Sequence, residues 1–404
     1  MKNSLGNSVC VTLFGESHGE MIGAVLDGLA PGIAVNEGYI ARKLGLRRPA
    51  GKISTARVEP DHFRIVSGVY NGHTTGTPVC ILIPNENADS RDYEKTRYLA
   101  RPGHADYTAF CKYHGYEDFR GGGNFSGRIT AALVAAGAIA QSALEEKGIL
   151  IGTHVARCAG IADRKFAWSD TEIFDAAGAG IGAEPDRRFD AEPDGRLYAR
   201  PDRLFDALEA DIRALADSPF AVLDKEAAEK MRAAMEEAAS EGDSVGGVLE
   251  TAVAGLPAGV GEPWFDSLES VLAHALFSIP AVKGVEFGGG FALADLKGSR
   301  ANDSFSMCGD SVITKTNNNG GINGGISNGM PVIFRCAVKP TPSIYKEQDT
   351  VDFGSGTDRK LVIKGRHDPA IVHRARVVAD SVTALVLCDM LALRYGTDWL
   401  IPAK

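Results

Sequence analysis

The chain has 404 residues, 44% of them hydrophobic and 24% charged, which is the balance of a soluble globular protein, and length alone points to two or three domains. A net charge of −9 argues against a general nucleic-acid binder, and the 47 glycines fall in separate stretches with no period, which excludes collagen and repeat arrays. Seven scattered cysteines without a C-x-x-C pair suggest neither a disulfide framework nor a zinc ribbon; they read as mostly buried reduced thiols of a cytoplasmic protein, and the longest apolar stretch, around Ala131–Ala140, is too short to span a bilayer.

In chain order, Val9–Phe14 reads as a strand that ends at Gly15-Glu16-Ser17-His18-Gly19. Glycines there present a carboxylate, a hydroxyl and an imidazole without bulk, the makeup of a site loop. An unperturbed histidine titrates near pH ~6.5, so His18 can give or take a proton at neutral pH, although a hydrogen-bonded loop histidine is the commoner case. Met21–Leu26 reads as a second strand, with a turn at Asp27-Gly28. Asn36 caps a predicted helix to Leu46, which delivers Arg47 and Arg48 to its end. With Lys52 and Arg57 these make an anion patch with few acids nearby in sequence. A Walker loop is excluded, because Gly51-Lys52 is followed by Ile53 and the earlier glycine is missing. Phe63–Val69 and Pro78–Ile83 read as strands joined by a turn at Asn71-Gly72.

Arg101-Pro102-Gly103-His104-Ala105-Asp106 sets a second histidine beside a cation and an orienting carboxylate, a grouping suited to acid–base work on an anion. Asp118-Phe119-Arg120-Gly121-Gly122-Gly123-Asn124-Phe125-Ser126-Gly127-Arg128 follows, with Ser126 as N-cap of a helix from Ile129 to Leu144. A glycine turn feeding a helix N-terminus aims backbone N–H groups at an anion, and Arg120 and Arg128 flank it. Ser169-Asp170-Thr171-Glu172 is a capping box. Gly178-x-Gly180-x-x-Ala183 matches the dinucleotide fingerprint only formally, since it follows a helix and runs into Pro185. The stretch 184–203 reads as an exposed excursion, Ala227–Ser240 as an amphipathic helix closed by Gly242, and Val248–Val253 as a strand.

The C-terminal third adds Ser278 to Glu286 before Gly288-Gly289-Gly290, then Asn317 to Ser327, a strand, Lys339-Pro340-Thr341-Pro342-Ser343, and Gly365-Arg366-His367-Asp368-Pro369 opening a helix to Leu393. Each joins glycine or proline to a few polar groups, as in loops that approach a flat or phosphorylated ligand closely.

Taken together, these stretches resemble the chorismate synthase family over nearly the whole chain and in the family's order. Arg101-Pro102-Gly103-His104-Ala105-Asp106 and Val282-Lys283-Gly284-Val285-Glu286 carry the resemblance most specifically. It implies an α+β fold, the family's β-α-β sandwich with helices between antiparallel sheets, in one domain over 1–404 and a homotetramer. It also implies an anti 1,4-elimination of phosphate from 5-enolpyruvylshikimate 3-phosphate, giving chorismate, with reduced FMN as cofactor and no net oxidation. By resemblance Arg47, Arg48, Arg101, Arg128 and Arg366 hold substrate. His18 protonates the departing phosphate, His104 protonates the reduced flavin, and Asp368 assists proton removal. FMN contacts fall to Asn124, Phe125, Ser126, Ala281, Lys283, Gly324, Lys339, Pro340, Thr341, Pro342, Ser343 and Arg366. Arg47 and Lys52 match positions that take NADPH where a member reduces its own flavin; no flavin-reductase insertion stands out, which favours an external flavin reductase. No metal, nucleic acid or membrane partner is implied.

Most members read Arg-Ser-Ser-Ala-Arg-Glu-Thr where this chain has Asn124-Phe125-Ser126-Gly127-Arg128-Ile129-Thr130, and Gly289 and Asn319 stand for a common Asp and Ala. Two rival readings follow from the residues. A metal-dependent hydrolase would use Glu16, His18, His104 and Asp106, which lack paired-ligand spacing on one helix. A flavin- or phosphate-binding protein without turnover would follow from the altered 124–129 stretch.

Overall fold

The computed structural model describes residues 2–49, 51, 53–55, 59–86, 93–169, 189–191, 197–199, 201–363 and 367–401. Two helices that are buried on nearly every side set the architecture. Helix α3 (Thr130–Glu146) buries thirteen of its seventeen residues, and the C-terminal helix Val372–Tyr395 buries twenty of twenty-four, so neither can lie at a surface. They pack against each other at the centre of the molecule. Gly137 permits the crossing: a Cβ there would fall 2.3 Å from Ser381 Cβ. Helix α1 (Glu37–Arg47), capped by Asn36 Oδ1 on Tyr39 N–H at 3.0 Å, lies against both.

A five-stranded antiparallel sheet covers one side, in the order Ser4–Leu5, Cys10–Gly15, Met21–Asp27, Val79–Pro84, Arg64–Ser67. Ile22, Ala24 and Leu26 alternate toward the helices and are fully buried, as are Val79, Ile81 and Ile83. A second antiparallel sheet covers the other side, in the order Val282–Phe287, Val332–Val338, Gly247–Ala254, Leu150–Cys158, Ile161–Ala162. This is the α+β sandwich the resemblance implied. The outer face of the second sheet takes Leu208 and Ile212 of the helix Pro201–Leu215, in a separate small core with Leu150, Ala252 and Ala254.

Several expectations are corrected. The apolar stretch is longer than it reads: Gly127–Glu146 spans 20 residues and passes for a membrane span by length and composition, but 83% of its most apolar window is buried, so it serves as a core helix. Ser126 caps a 3₁₀ turn (Gly127–Ile129) by accepting from Arg128 N–H, and the α-helix starts only at Thr130. The Phe63–Val69 run is split into Arg64–Ser67 and Val69–Tyr70, with a bulge opposite Cys80–Ile81, and the Asn71-Gly72 turn closes the small hairpin to His73–Thr74 instead of joining the long strands. The excursion 184–203 is too long, because Pro201 to Arg203 already open a helix whose Leu204, Leu208, Ile212 and Leu215 are buried. The last helix begins at Val372, later than Gly365. Only Cys158, Cys336 and Cys388 are buried, while Cys111 and Cys308 are exposed. Asp170 to Glu172 of the capping box and the Gly178–Ala183 match lie outside the described residues.

Candidate active site

The strand Cys10–Gly15 of the first sheet ends in the turn that carries His18. The glycine segment 120–125 folds beneath this turn: Ser17 N–H donates to Gly123 C=O at 3.1 Å, and Ser17 Oγ donates to Arg120 C=O at 3.3 Å. Ser17 Oγ is also 3.1 Å from His18 Nδ1, and the imidazole meets the Tyr93 ring edge-on at 5.1 Å. Gly121, at φ 61°, is the floor under the imidazole; a Cβ there would sit 1.9 Å from His18 Cε1. Glycine is the one residue that fits both the angle and the gap.

His104 precedes helix α2 (Asp106–Tyr113). Sequence proximity makes Asp106 its orienting carboxylate, but the fold assigns that group elsewhere. Asp106 grips Arg101 through Nε at 2.8 Å, Nη2 at 2.7 Å and the backbone N–H at 2.9 Å. His104 Nε2 instead meets Ser343 Oγ at 2.7 Å, a partner 239 residues away. Burial pushes the His104 imidazole down to about 4, with Arg101, Lys339 and His367 adding to the fall and Asp106 opposing it. The segment 339–343 continues the strand Val332–Val338 of the second sheet and runs beneath the 101–106 turn. Lys339 Nζ donates to Gly103 C=O at 2.7 Å, Lys339 N–H to Ala281 C=O at 3.0 Å, and Ser244 Oγ to Thr341 C=O at 2.6 Å. Pro342 Cβ lies under Gly103.

Between the ends of the two sheets a cavity of about 1080 Å³ opens, at the upper limit of ordinary ligand pockets of roughly 300–1,000 Å³. His18, Arg101, His104, Asn124, Phe125 and Ser343 all line it. So does Phe119 of the glycine stretch, together with residues that sequence reasoning did not single out, Tyr93, Arg97 and Tyr113, with Arg97 stacked over the Phe119 ring at 4.8 Å. No motif marks these three; they share only proximity to the glycine segment. His367 lines the cavity too, under Tyr345 at 5.2 Å.

Other predicted site residues lie elsewhere. Arg47 and Arg128 are buried in an ion cluster. Arg47 Nη2 donates to Glu59 at 2.6 Å and Asp61 at 2.9 Å, while Arg128 Nη1 pairs with Asp61. Arg128 also donates to Asn85 Oδ1 and Pro84 C=O, each at 3.0 Å. Arg48 Nε is 3.6 Å from Asp61. Burial works against the Asp61 carboxylate, but Arg47 and Arg128 outweigh it and hold its pKa below the usual range. The patch that looked poor in acids is therefore balanced by Glu59 and Asp61, 12 and 14 residues beyond Arg47. Arg120 is likewise taken by Asp118, at 2.7 and 2.8 Å. Asp368 accepts from Thr55 N–H at 2.9 Å and Arg374 Nη1 at 2.6 Å, one residue behind the cavity wall at His367. The Ser126 hydroxyl is used as a cap, and Lys283 and Gly324 are exposed and not on the cavity wall. Lys52 and Arg366 lie outside the described residues. Among the described residues no group of three or more His, Cys, Asp or Glu side chains is set to hold a metal ion; of the rival hydrolase's ligands, Asp106 is committed to Arg101 and His104 to Ser343.

The walls suit a planar, anionic group. Aromatic rings from Tyr93, Tyr113, Phe119 and Phe125 stand beside bare backbone at Gly121-Gly122, and Arg101 and two imidazoles supply cationic or donating edges. Comparison with known proteins agrees. The family model described as chorismate synthase matches residues 9–392. A relative named chorismate synthase from Dehalococcoides mccartyi is 44% identical over 98% of both chains. Another so named, from Aeropyrum pernix, is 42% identical over 97% of this chain and 93% of its own. A solved structure titled "Crystal Structure of Chorismate Synthase" superposes with a TM-score of 0.69 at 28% identity, covering 97% of this chain and 94% of that one. The chain belongs to the chorismate synthase family of carbon–oxygen lyases, enzymes of aromatic amino-acid biosynthesis.

Proposed function

We propose that this chain converts 5-enolpyruvylshikimate 3-phosphate to chorismate by anti 1,4-elimination, with reduced FMN held in the cavity beside the substrate. The observation that carries this reading is that His18, from one turn, and Arg101 and His104, from another, line the same cavity as the glycine segment. The residues present fit a flavin: rings for its faces, bare glycine backbone at Gly121-Gly122, and Ser343 and His104 for its polar edge. Asn124 and Phe125 line the wall, while the segment 339–343 with Ala281 backs it. When bound, reduced FMN supplies electron density that lets phosphate leave.

The protein's own groups do the rest. Arg101, held bidentately by Asp106, offers a fixed cation to a carboxylate or phosphate. His18, seated on Gly121, delivers a proton to the departing phosphate oxygen. Burial keeps His104 neutral at pH 7; an anion beside it raises its pKa and makes it a proton donor. Asp368 takes part in removal of the ring proton. Arg47, Arg48 and Arg128 are held in the Glu59–Asp61 cluster outside the cavity lining, so direct substrate binding falls to Arg101 with Arg366. Because Arg47 is buried and paired, we favour an outside source of reduced flavin over NADPH bound at Arg47 and Lys52. A homotetramer is part of the proposal, and the exposed Trp264, Phe265, Phe291 and Phe305 supply apolar surface for it.

The test is anaerobic incubation of purified protein with substrate and chemically reduced FMN. Chorismate and inorganic phosphate should appear in equal amounts. Tight flavin binding without product would favour the non-catalytic reading of the 124–129 stretch.

A further inference from the structure

We propose that Arg374 is the residue that positions the Asp368 carboxylate, and that it ties this carboxylate to the buried arginine cluster. The proposal rests on the reading of Asp368 as a participant in proton removal.

Both carboxylate oxygens of Asp368 are fixed, and by different segments. Oδ1 accepts from Thr55 N–H at 2.9 Å, and Oδ2 accepts from Arg374 Nη1 at 2.6 Å. Arg374 is itself anchored, since its Nε donates to Arg47 C=O at 2.7 Å. One guanidinium therefore spans two partners at once, which a lysine ammonium on a flexible stem would not reproduce. The pair is largely removed from water, with the two side chains 15% and 13% exposed. Contacts then run without a gap from Asp368 through Arg374 to Arg47, from Arg47 to Glu59 and Asp61, and from Asp61 to Arg128.

Helix stability does not call for an arginine here. Arg374 lies in the first turn of the C-terminal helix, where no acidic residue offsets it and a cation opposes the helix dipole. Burial also works against its charge, and Arg47 adds to that; Asp368, Glu59 and Asp61 are the charges that oppose the loss. The Asp368 charge also acts on the neighbouring His367, whose Nε2 meets Ile363 C=O at 3.1 Å. A cation kept at a costly position and aimed at one carboxylate is explained by what it does to that carboxylate.

The experiment compares Arg374→Gln, Arg374→Lys and Asp368→Asn in the anaerobic assay, with FMN affinity measured by flavin fluorescence. Arg374→Gln should lower kcat roughly 10- to 100-fold, the range for partners that orient a reacting group. KM and FMN affinity should hold, so that the loss falls on kcat alone. Arg374→Lys, which keeps the charge but not the fork, should recover only part of kcat. Wild-type kcat in Arg374→Gln, beside an inactive Asp368→Asn, would overturn the proposal. So would a loss of FMN and substrate binding that tracks kcat, which would mark a merely structural residue. If Arg374→Gln does not fold, full kcat in Arg374→Lys is the overturning result. Full activity in Asp368→Asn would instead sink the reading of Asp368 itself.

Discussion

At the scale of single residues, the chemistry of this site depends on which partner each charged group meets. His104 shows how far that departs from sequence neighbourhood: Asp106, two positions on, is taken by Arg101, and Ser343 takes the imidazole. An imidazole near 4 is a poor proton donor at neutral pH until an anion enters. We predict that NMR titration of the ligand-free protein places His104 near 4, and that phosphate or reduced FMN in the cavity moves it upward. A free-protein value near the ordinary ~6.5 would contradict the buried environment described here. The ligand-bearing residues of the quoted motifs were legible as residues. Several of their pairings were not, because partners such as Ser343 for His104 and Asp61 for Arg128 arrive from segments tens to hundreds of positions away.

At the scale of elements, the glycine segment 120–125 works as a seat for His18, and its geometry is testable. Gly121→Ala places a Cβ in the imidazole and strains a left-handed backbone position, a cost of about 1–3 kcal/mol. The expected outcome is a folded protein with kcat down at least about tenfold through a displaced His18; unchanged kcat would show that the seat is unimportant. The start of the C-terminal helix makes a second prediction. His373 Nε2 meets Ser54 Oγ at 2.8 Å, and its Nδ1 is buried with no partner among the described residues. Burial, then Arg374, pushes this imidazole down to about 3. The folded pKa thus lies below the unfolded one, so the stability contributed by neutral His373 is present above pH ~6.5 and is lost as pH falls toward 3. His373→Gln should flatten the drop in thermal midpoint between pH 7 and 4.5, and parallel curves for the two proteins would count against it. Most strands and the helices α1, α3 and 225–240 could be read from periodicity and caps, since burial on one face writes itself into the sequence. The helix Pro201–Leu215 could not: its charged, proline-rich approach masked the buried Leu204, Leu208, Ile212 and Leu215.

At the scale of the whole molecule, two buried helices hold two sheets apart, and the site forms where strand ends from both sheets meet. A core that runs from Val9 to Leu400 joins the ends of the chain, which accounts for residues as far apart as Gly15 and His367 lining one cavity. The central claim is that this cavity, with its two histidines, is where phosphate leaves. The most direct measurement is anaerobic turnover of His18→Ala and His104→Ala beside the parent protein, with reduced FMN, and with flavin binding measured on the same samples. Each variant should lose chorismate and phosphate production by about 10²-fold or more while still binding FMN. Parent-level turnover in both variants would place the reaction somewhere other than this cavity.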